Sequence, residues 1–246
     1  LGVSNSIDRQ IQDVDAVCRY VAAVKGLKNR PYLCFDEWNV WYKTFEVGRM
    51  GGNWKYATPI IEEIYNLEDA LVVAGFLMSF IRHADIVRIA NLAQVVNVIA
   101  PIITTEDGIL KQSIFYAFKM LSSRKGGASL LSEVSGPYYD SKDYGKVNFL
   151  DRAITIDGDR LNLFLINRSL EEDLEVMISI DFEVNTLING EILHHENPKA
   201  MNSFENPRLV VSQAFKNFQI NSRFIETKLP PLSFVAATFA IKQTEY

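Results

Sequence analysis

Tyr32-Leu33-Cys34-Phe35-Asp36-Glu37-Trp38-Asn39-Val40-Trp41-Tyr42 is the stretch that decides the fold. It opens on four apolar or aromatic residues without polar alternation, follows Gly26 and Pro31, and runs into two carboxylates. That pattern predicts a short strand over 32–36 buried on both faces, as in a parallel sheet covered by helices. Carboxylates at the C-terminal end of such a strand stand where barrel and open α/β enzymes gather their catalytic groups. Adjacent strand residues face opposite ways, so only one of Asp36 and Glu37 is expected to look into a site. The aromatics beside them, Trp38, Trp41 and Tyr42, suit stacking on the C–H faces of a sugar ring. Composition alone favours a plainer reading, a strand-end acid satisfied by backbone N–H groups with the tryptophans as core.

Upstream, Ile7, Ile11, Val14, Val17, Cys18, Val21 and Val24 recur at three- and four-residue steps, which predicts an amphipathic helix over 6–25. Downstream come an aromatic, glycine-bearing loop over 38–56, a helix over 60–83 that is apolar nearly all round from Ala70 to Ile81, and a strand over 86–90. A further helix over 111–123 ends at Arg124-Lys125-Gly126-Gly127, where basic residues and glycines suit a C-terminus. The alternation of helices and apolar strands is that of parallel βα units, assigned to 1–130.

The period then changes. Leu174, Val176, Ile178 and Ile180 alternate with Glu175, Met177, Ser179 and Asp181, a half-buried strand, and 160–167 is read in the same way. Asp157-Gly158, Asn167-Arg168-Ser169, Asn189-Gly190, Asn197-Pro198 and Asn206-Pro207 are read as turns, and 234–241 as a last strand. Residues 131–246 are therefore expected to form an antiparallel β-sandwich, so that the fold class is α/β plus all-β.

Lys plus Arg number 25 against 30 for Asp plus Glu, and the net charge of −5 gives no reason to expect nucleic acid or an anionic membrane as partner. The most apolar run, 70–81, is too short to span a bilayer. Cys18 and Cys34 are expected to be free thiols, which favours a reducing, cytoplasmic compartment. The chain opens Leu1-Gly2-Val3-Ser4, so any signal peptide would lie upstream. His83 at a helix end suits the helix dipole, His194-His195 lacks further ligands for a metal, and Glu171-Glu172-Asp173 reads as a solvated turn.

The opening stretch resembles the nucleophile segment of the glycoside hydrolase family 51 α-L-arabinofuranosidases. A second block is similar as well, Ile64-Tyr65-Asn66-Leu67-Glu68-Asp69-Ala70-Leu71 followed by Ala84-Asp85 and Leu92-Ala93-Gln94-Val95-Val96-Asn97-Val98-Ile99-Ala100-Pro101-Ile102. Gln112-Ser113-Ile114-Phe115-Tyr116 resembles the family's last barrel helix. Leu163-Phe164-Leu165-Ile166-Asn167-Arg168 and Leu229-Pro230-Pro231-Leu232-Ser233 resemble its C-terminal sandwich.

The resemblance implies the last two βα units of a (β/α)8 TIM barrel followed by a β-sandwich. It implies Glu37 as catalytic nucleophile at the end of the seventh strand, Gln94 as a hydrogen-bonding partner of the bound arabinofuranose, and Trp41 as an aromatic wall of the substrate site. Asn91 departs from the small residue usual three positions before Gln94. The family's acid/base is the Glu of an Asn-Glu pair, and no Asn-Glu dipeptide occurs in these 246 residues. The chain is therefore expected to be an inactive fragment of a retaining enzyme acting on arabinose-containing oligosaccharides or polysaccharides, without metal or organic cofactor. Another family 51 specificity, endoglucanase or xylosidase, and a non-catalytic carbohydrate-binding module are the alternatives. Two barrel strands leave open edges and bare helix faces, so a homo-oligomer is expected.

Overall fold

The computed structural model describes residues 1–42 and 62–242. The chain runs α1 (Ser4–Lys25), β1 (Leu33–Trp38), α2 (Leu67–Arg82), β2 (Val87–Leu92), β3 (Ile102–Thr104), β4 (Ile109–Lys111) and α3 (Ser113–Ser122). It continues with β5 (Ala128–Ser129), β6 (Tyr138–Ser141), β7 (Gly145–Asn148), β8 (Leu150–Asp157), β9 (Arg160–Asn167), β10 (Leu174–Ser179) and β11 (Glu183–His194). Then follow β12 (Gln213–Ala214), β13 (Phe218–Asn221), β14 (Phe224–Leu229) and β15 (Ser233–Lys242). β1 and β2 pair in parallel. β12-β11-β15-β9-β8-β5 form a six-stranded sheet that faces a three-stranded sheet, β10-β14-β13. β3-β4 and β6-β7 are separate hairpins.

The long helix starts at Leu67, later than the expected 60, because Asn66 and Asp69 close a capping box there. Asp69 N–H donates to Asn66 Oδ1 at 3.2 Å and Asn66 N–H to Asp69 Oδ2 at 2.8 Å, satisfying two backbone donors that a helix leaves open. Most of the aromatic loop expected over 38–56 lies outside the described residues, as does the predicted helix start at Ile60.

Two burial expectations exchange places. β9, read as half-buried, is buried on both faces, because α2 covers one side of the six-stranded sheet and the three-stranded sheet covers the other. Phe164 and Ile166 of β9 and Phe234 and Ala236 of β15 join the core under the helices. The alternate residues Leu161 and Leu163 meet Ala237, Phe239 and Ile225, and Leu165 meets Val235 and Leu229. Each fully buried Leu, Ile, Val or Phe among them stabilises the fold by about 1.5–3 kcal/mol. β1, read as buried on both faces, is covered on one: Leu33 and Phe35 pack toward α2, whereas Cys34, Asp36 and Glu37 are exposed. Among the described residues only β2 pairs with it.

α1 shows the same incompleteness. Ile11 is fully buried, but Val17 and Val24 are more than half exposed, and Val14 and Val21 nearly so. Nothing among the described residues covers that stripe.

Asn189-Gly190 is a second correction: it lies inside β11, at a shift of register between Leu187 and Asn189 against β15. Glycine is needed there for close approach. A Cβ on Gly190 would stand 2.2 Å from Phe215 O, whose own N–H donates to Gly190 O. Asp157-Gly158 does turn the β8-β9 hairpin, with Gly158 at φ 57°. No helix among the described residues is long and apolar enough to cross a membrane.

Candidate active site

Glu37 and Gln94 emerge side by side from the same end of the parallel pair. Trp38 is in register with Leu92, so Glu37 stands one residue before that pairing and Gln94 two residues after it. Both side chains are exposed. A non-proline cis peptide joins Ala93 to Gln94. Strict alternation would set Glu37 on the side of Phe35, but the register shifts between Phe35 and Trp38. Trp38 takes the inward place instead, edge-on to Phe76 at 6.2 Å and Phe80 at 5.2 Å. Asp36 and Glu37 are consequently both exposed, and alternation alone does not separate them.

The segment that follows is clamped from several elements. Asn39 Nδ2 donates to Ala93 O at 2.9 Å and to Ile99 O. Tyr65 O–H donates to Val40 O at 2.7 Å. Tyr42 O–H donates to Asp69 Oδ1, whose other oxygen serves the α2 cap. Burial, then the hydrogen bond to Asp69 and its charge, push the Tyr42 phenol well above its ordinary range, so it stays a donor. Burial likewise raises the Asp69 carboxyl, against the lowering effect of the Tyr42 and Asn66 hydrogen bonds.

Trp41, held between Val40 and Tyr42, is half exposed and borders a cavity of about 840 Å³ with Tyr42, Val72, Phe76, Tyr139 and Phe149. Glu37 and Gln94 do not line that cavity. The structure thus brings the ends of the Glu37 and Gln94 strands together and places Trp41 a few residues beyond, on the flank facing the sandwich.

Asn39, Tyr65, Asp69 and Gln112 are the residues that sequence reasoning missed. Gln112, nearly inaccessible, accepts from Tyr65 N–H at 2.8 Å and donates to Ala100 O at 2.8 Å and Glu63 O at 3.0 Å. It ties the approach to α2 to the end of the Gln94 loop. The Asn-x-x-Asp spacing of Asn66 and Asp69 was a usable local signal; the others act across long sequence separations.

The other candidates fall elsewhere. His83 caps α2, with Nε2 3.2 Å from Asp8 Oδ1. His195 Nδ1 accepts from Asn197 N–H at 2.9 Å in the sandwich. Glu171, Glu172 and Asp173 are exposed between β9 and β10, and Asp173 pairs with Lys228 at 2.9 Å.

A family model described as the alpha-L-arabinofuranosidase C-terminal domain matches residues 36–233. An intracellular exo-α-(1→5)-L-arabinofuranosidase of Halalkalibacterium halodurans is 40% identical over 206 residues, 82% of this chain and 41% of that protein. Its namesake from Bacillus subtilis, numbered 1, is 37% identical over 238 residues, 95% of this chain and 47% of that protein. A solved family 51 α-L-arabinofuranosidase from Bifidobacterium longum superposes with a TM-score of 0.87 at 27% identity, over 97% of this chain and 47% of the other. The chain spans less than half the length of each of these relatives.

Proposed function

Because the chain belongs to the α-L-arabinofuranosidase C-terminal domain family of family 51 glycoside hydrolases, we propose that it is the carboxyl-terminal part of a retaining exo-acting α-L-arabinofuranosidase. The observation that carries the reading is Glu37, exposed at the carboxyl end of β1 beside the loop that bears Gln94. In this reading 1–130 contributes the last two βα units of the barrel and 131–246 the sandwich.

A retaining glycosidase needs two carboxyl groups about 5–5.5 Å apart. Glu37 is the nucleophile: its carboxylate attacks the anomeric carbon, the glycosidic C–O bond breaks, and a glycosyl ester forms through an oxocarbenium-like transition state. The acid that protonates the leaving oxygen, and then takes the proton from the water that cleaves the ester, comes from the remainder of the longer protein. Gln94 hydrogen-bonds the sugar, and Trp41 walls the site. The names of the relatives favour terminal α-(1→5)-linked arabinofuranosyl groups and an intracellular setting. The rest of the barrel covers the outer face of β1 and the valine stripe of α1; without it, the isolated chain self-associates through them.

The test is hydrolysis of a nitrophenyl α-L-arabinofuranoside by the longer protein, with the anomeric form of the first-released sugar followed by NMR. Retention is expected. Inversion, or no turnover of any arabinofuranoside, would overturn the reading.

A further inference from the structure

A glutamine that contacts a substrate from a loop works only if the loop is held. The far part of the loop carrying Gln94 is tied by Asn97, whose N–H donates to Ile102 O at 2.8 Å and whose Oδ1 accepts Thr104 N–H at 2.7 Å, whereas the stretch at Gln94 itself is held from the neighbouring strand. Gln94, Val95 and Val96 are exposed, and Asn97 and Ile99 take left-handed backbone conformations at φ 65° and 39°. Both ends of this loop are gripped by one side chain from the other strand. The Asn39 amide spends its two hydrogens on Ala93 O, at 2.9 Å, and on Ile99 O. Its oxygen accepts Val40 N–H at 2.8 Å, which fixes the amide's orientation. Ala93 N–H donates in turn to Trp38 O at 3.0 Å, the carbonyl between Glu37 and Asn39.

We propose that Asn39 is a positioning residue that sets Gln94 against Glu37, by pinning the Ala93 and Ile99 carbonyls to the segment directly after the nucleophile; the inference rests on the functional reading above. A carboxamide is the side chain that supplies two donors in a fixed plane together with an acceptor. Asn39→Asp keeps the shape and the acceptor but sets a carboxylate against two carbonyls. Asn39→Ala removes both side-chain bonds and leaves only the backbone bond from Ala93 N–H to Trp38 O at this point. Gln112 holds the adjacent Ala100 O, so the loop's far end stays attached when Asn39 is replaced.

The experiment is a double-mutant cycle in the complete enzyme, comparing wild type, Asn39→Ala, Gln94→Ala and the double variant by kcat/KM on a nitrophenyl arabinofuranoside. In the wild-type background Gln94→Ala is expected to cost about 5–150-fold, the range of a lost hydrogen bond or coupling of this kind. In the Asn39→Ala background it is expected to cost less than about 3-fold, because a loop released at the Ala93 and Ile99 carbonyls no longer holds Gln94 in place. Equal losses in both backgrounds would overturn the proposal and leave Asn39 as a stabiliser of the segment after β1. Asn39→Ser replaces Asn39→Ala in the cycle should the alanine variant fail to fold. If the wild-type enzyme cleaves no arabinofuranoside, the functional reading fails by itself, and backbone amide exchange decides the positioning claim. Faster exchange over 93–99 in the Asn39 variant supports it; unchanged exchange there overturns it.

Discussion

Arg82 on α2 donates from Nη1 to Asp151 Oδ1 on β8 at 2.9 Å, an ion pair that joins the helical layer to the sandwich inside the protein. The Asp151 side chain is 5% exposed and also accepts from Arg168. Arg82 reaches on to Asp8 of α1 at 2.8 Å from Nη2. Removing the shared carboxylate leaves the buried Arg168 guanidinium without its counter-charge and Arg82 with Asp8 alone. Asp151→Ala is therefore expected to cost about 3–5 kcal/mol, read from the midpoint and slope of urea unfolding. A loss below about 1 kcal/mol would mean that water reaches the pair.

Acid should loosen the α1 attachment. The Asp8 and Asp15 carboxyls lie below their usual value of 3.8; burial opposes this, but hydrogen bonds from His83 and Arg82 to Asp8, and from Arg19 and Arg30 to Asp15, outweigh it. A carboxyl depressed in the folded state contributes stability that is present above its unfolded pKa and lost as pH falls through the folded value. Unfolding free energy is expected to fall below about pH 4, and the Asp8→Asn, Asp15→Asn double variant to show a flatter profile. The same slope in both proteins would assign acid sensitivity to other carboxylates.

Glu37→Ala in the complete enzyme is expected to abolish turnover and to regain part of it with azide, which occupies the vacated nucleophile position. The glycosyl azide formed should have inverted configuration, since a single displacement replaces two. A rescued product of retained configuration would identify Glu37 as the acid/base instead. The isolated chain, without that partner, is expected to lack useful activity, as each acid/base role is worth about 10²–10⁴-fold.

Gln94→Ala offers a separate check on the site. Its side chain is exposed, so its removal should leave the melting temperature nearly unchanged. If it binds the sugar more tightly in the transition state, kcat/KM falls by about 1–3 kcal/mol. A markedly lower Tm with kcat/KM intact would take Gln94 off the site.

Much of this arrangement was legible in the chain, for reasons that differ by residue. The Glu37 motif is local and dense with aromatics, and the parallel pair followed from two short apolar runs. The Asn66 capping box was equally local, yet the apolar residues upstream obscured it. Asn39, Tyr65 and Gln112 leave no such trace: each bonds backbone carbonyls brought close only by folding, across as many as 60 positions for Asn39 and Ile99. The burial of β9 was written in its unbroken apolar run, by the same rule applied to β1; what the run alone does not say is how many layers the neighbouring chain supplies. Asn189-Gly190 carries a turn dipeptide but answers a crowding requirement at Phe215.

That crowding yields a further expectation. Gly190→Ala should destabilise the sandwich by about 1–3 kcal/mol, because backbone, not a flexible side chain, stands in the way. Thermal unfolding of the isolated chain measures it, and an unchanged Tm would mean that the 213–218 segment moves aside freely.

The double burial of β9 and β15 makes the large sheet a party wall. Phe164, Ile166, Phe234 and Ala236 belong to the core of the helices as much as to the sheet that carries them. Cutting the chain near residue 130 would strip apolar surface from both pieces at once, so the boundary visible in the sequence is no seam in the energetics. Heat should take the two regions apart in one cooperative step, since α2 packs on the large sheet and, through Phe76 and Phe80, on Phe35 and Trp38 of the strand that carries Glu37.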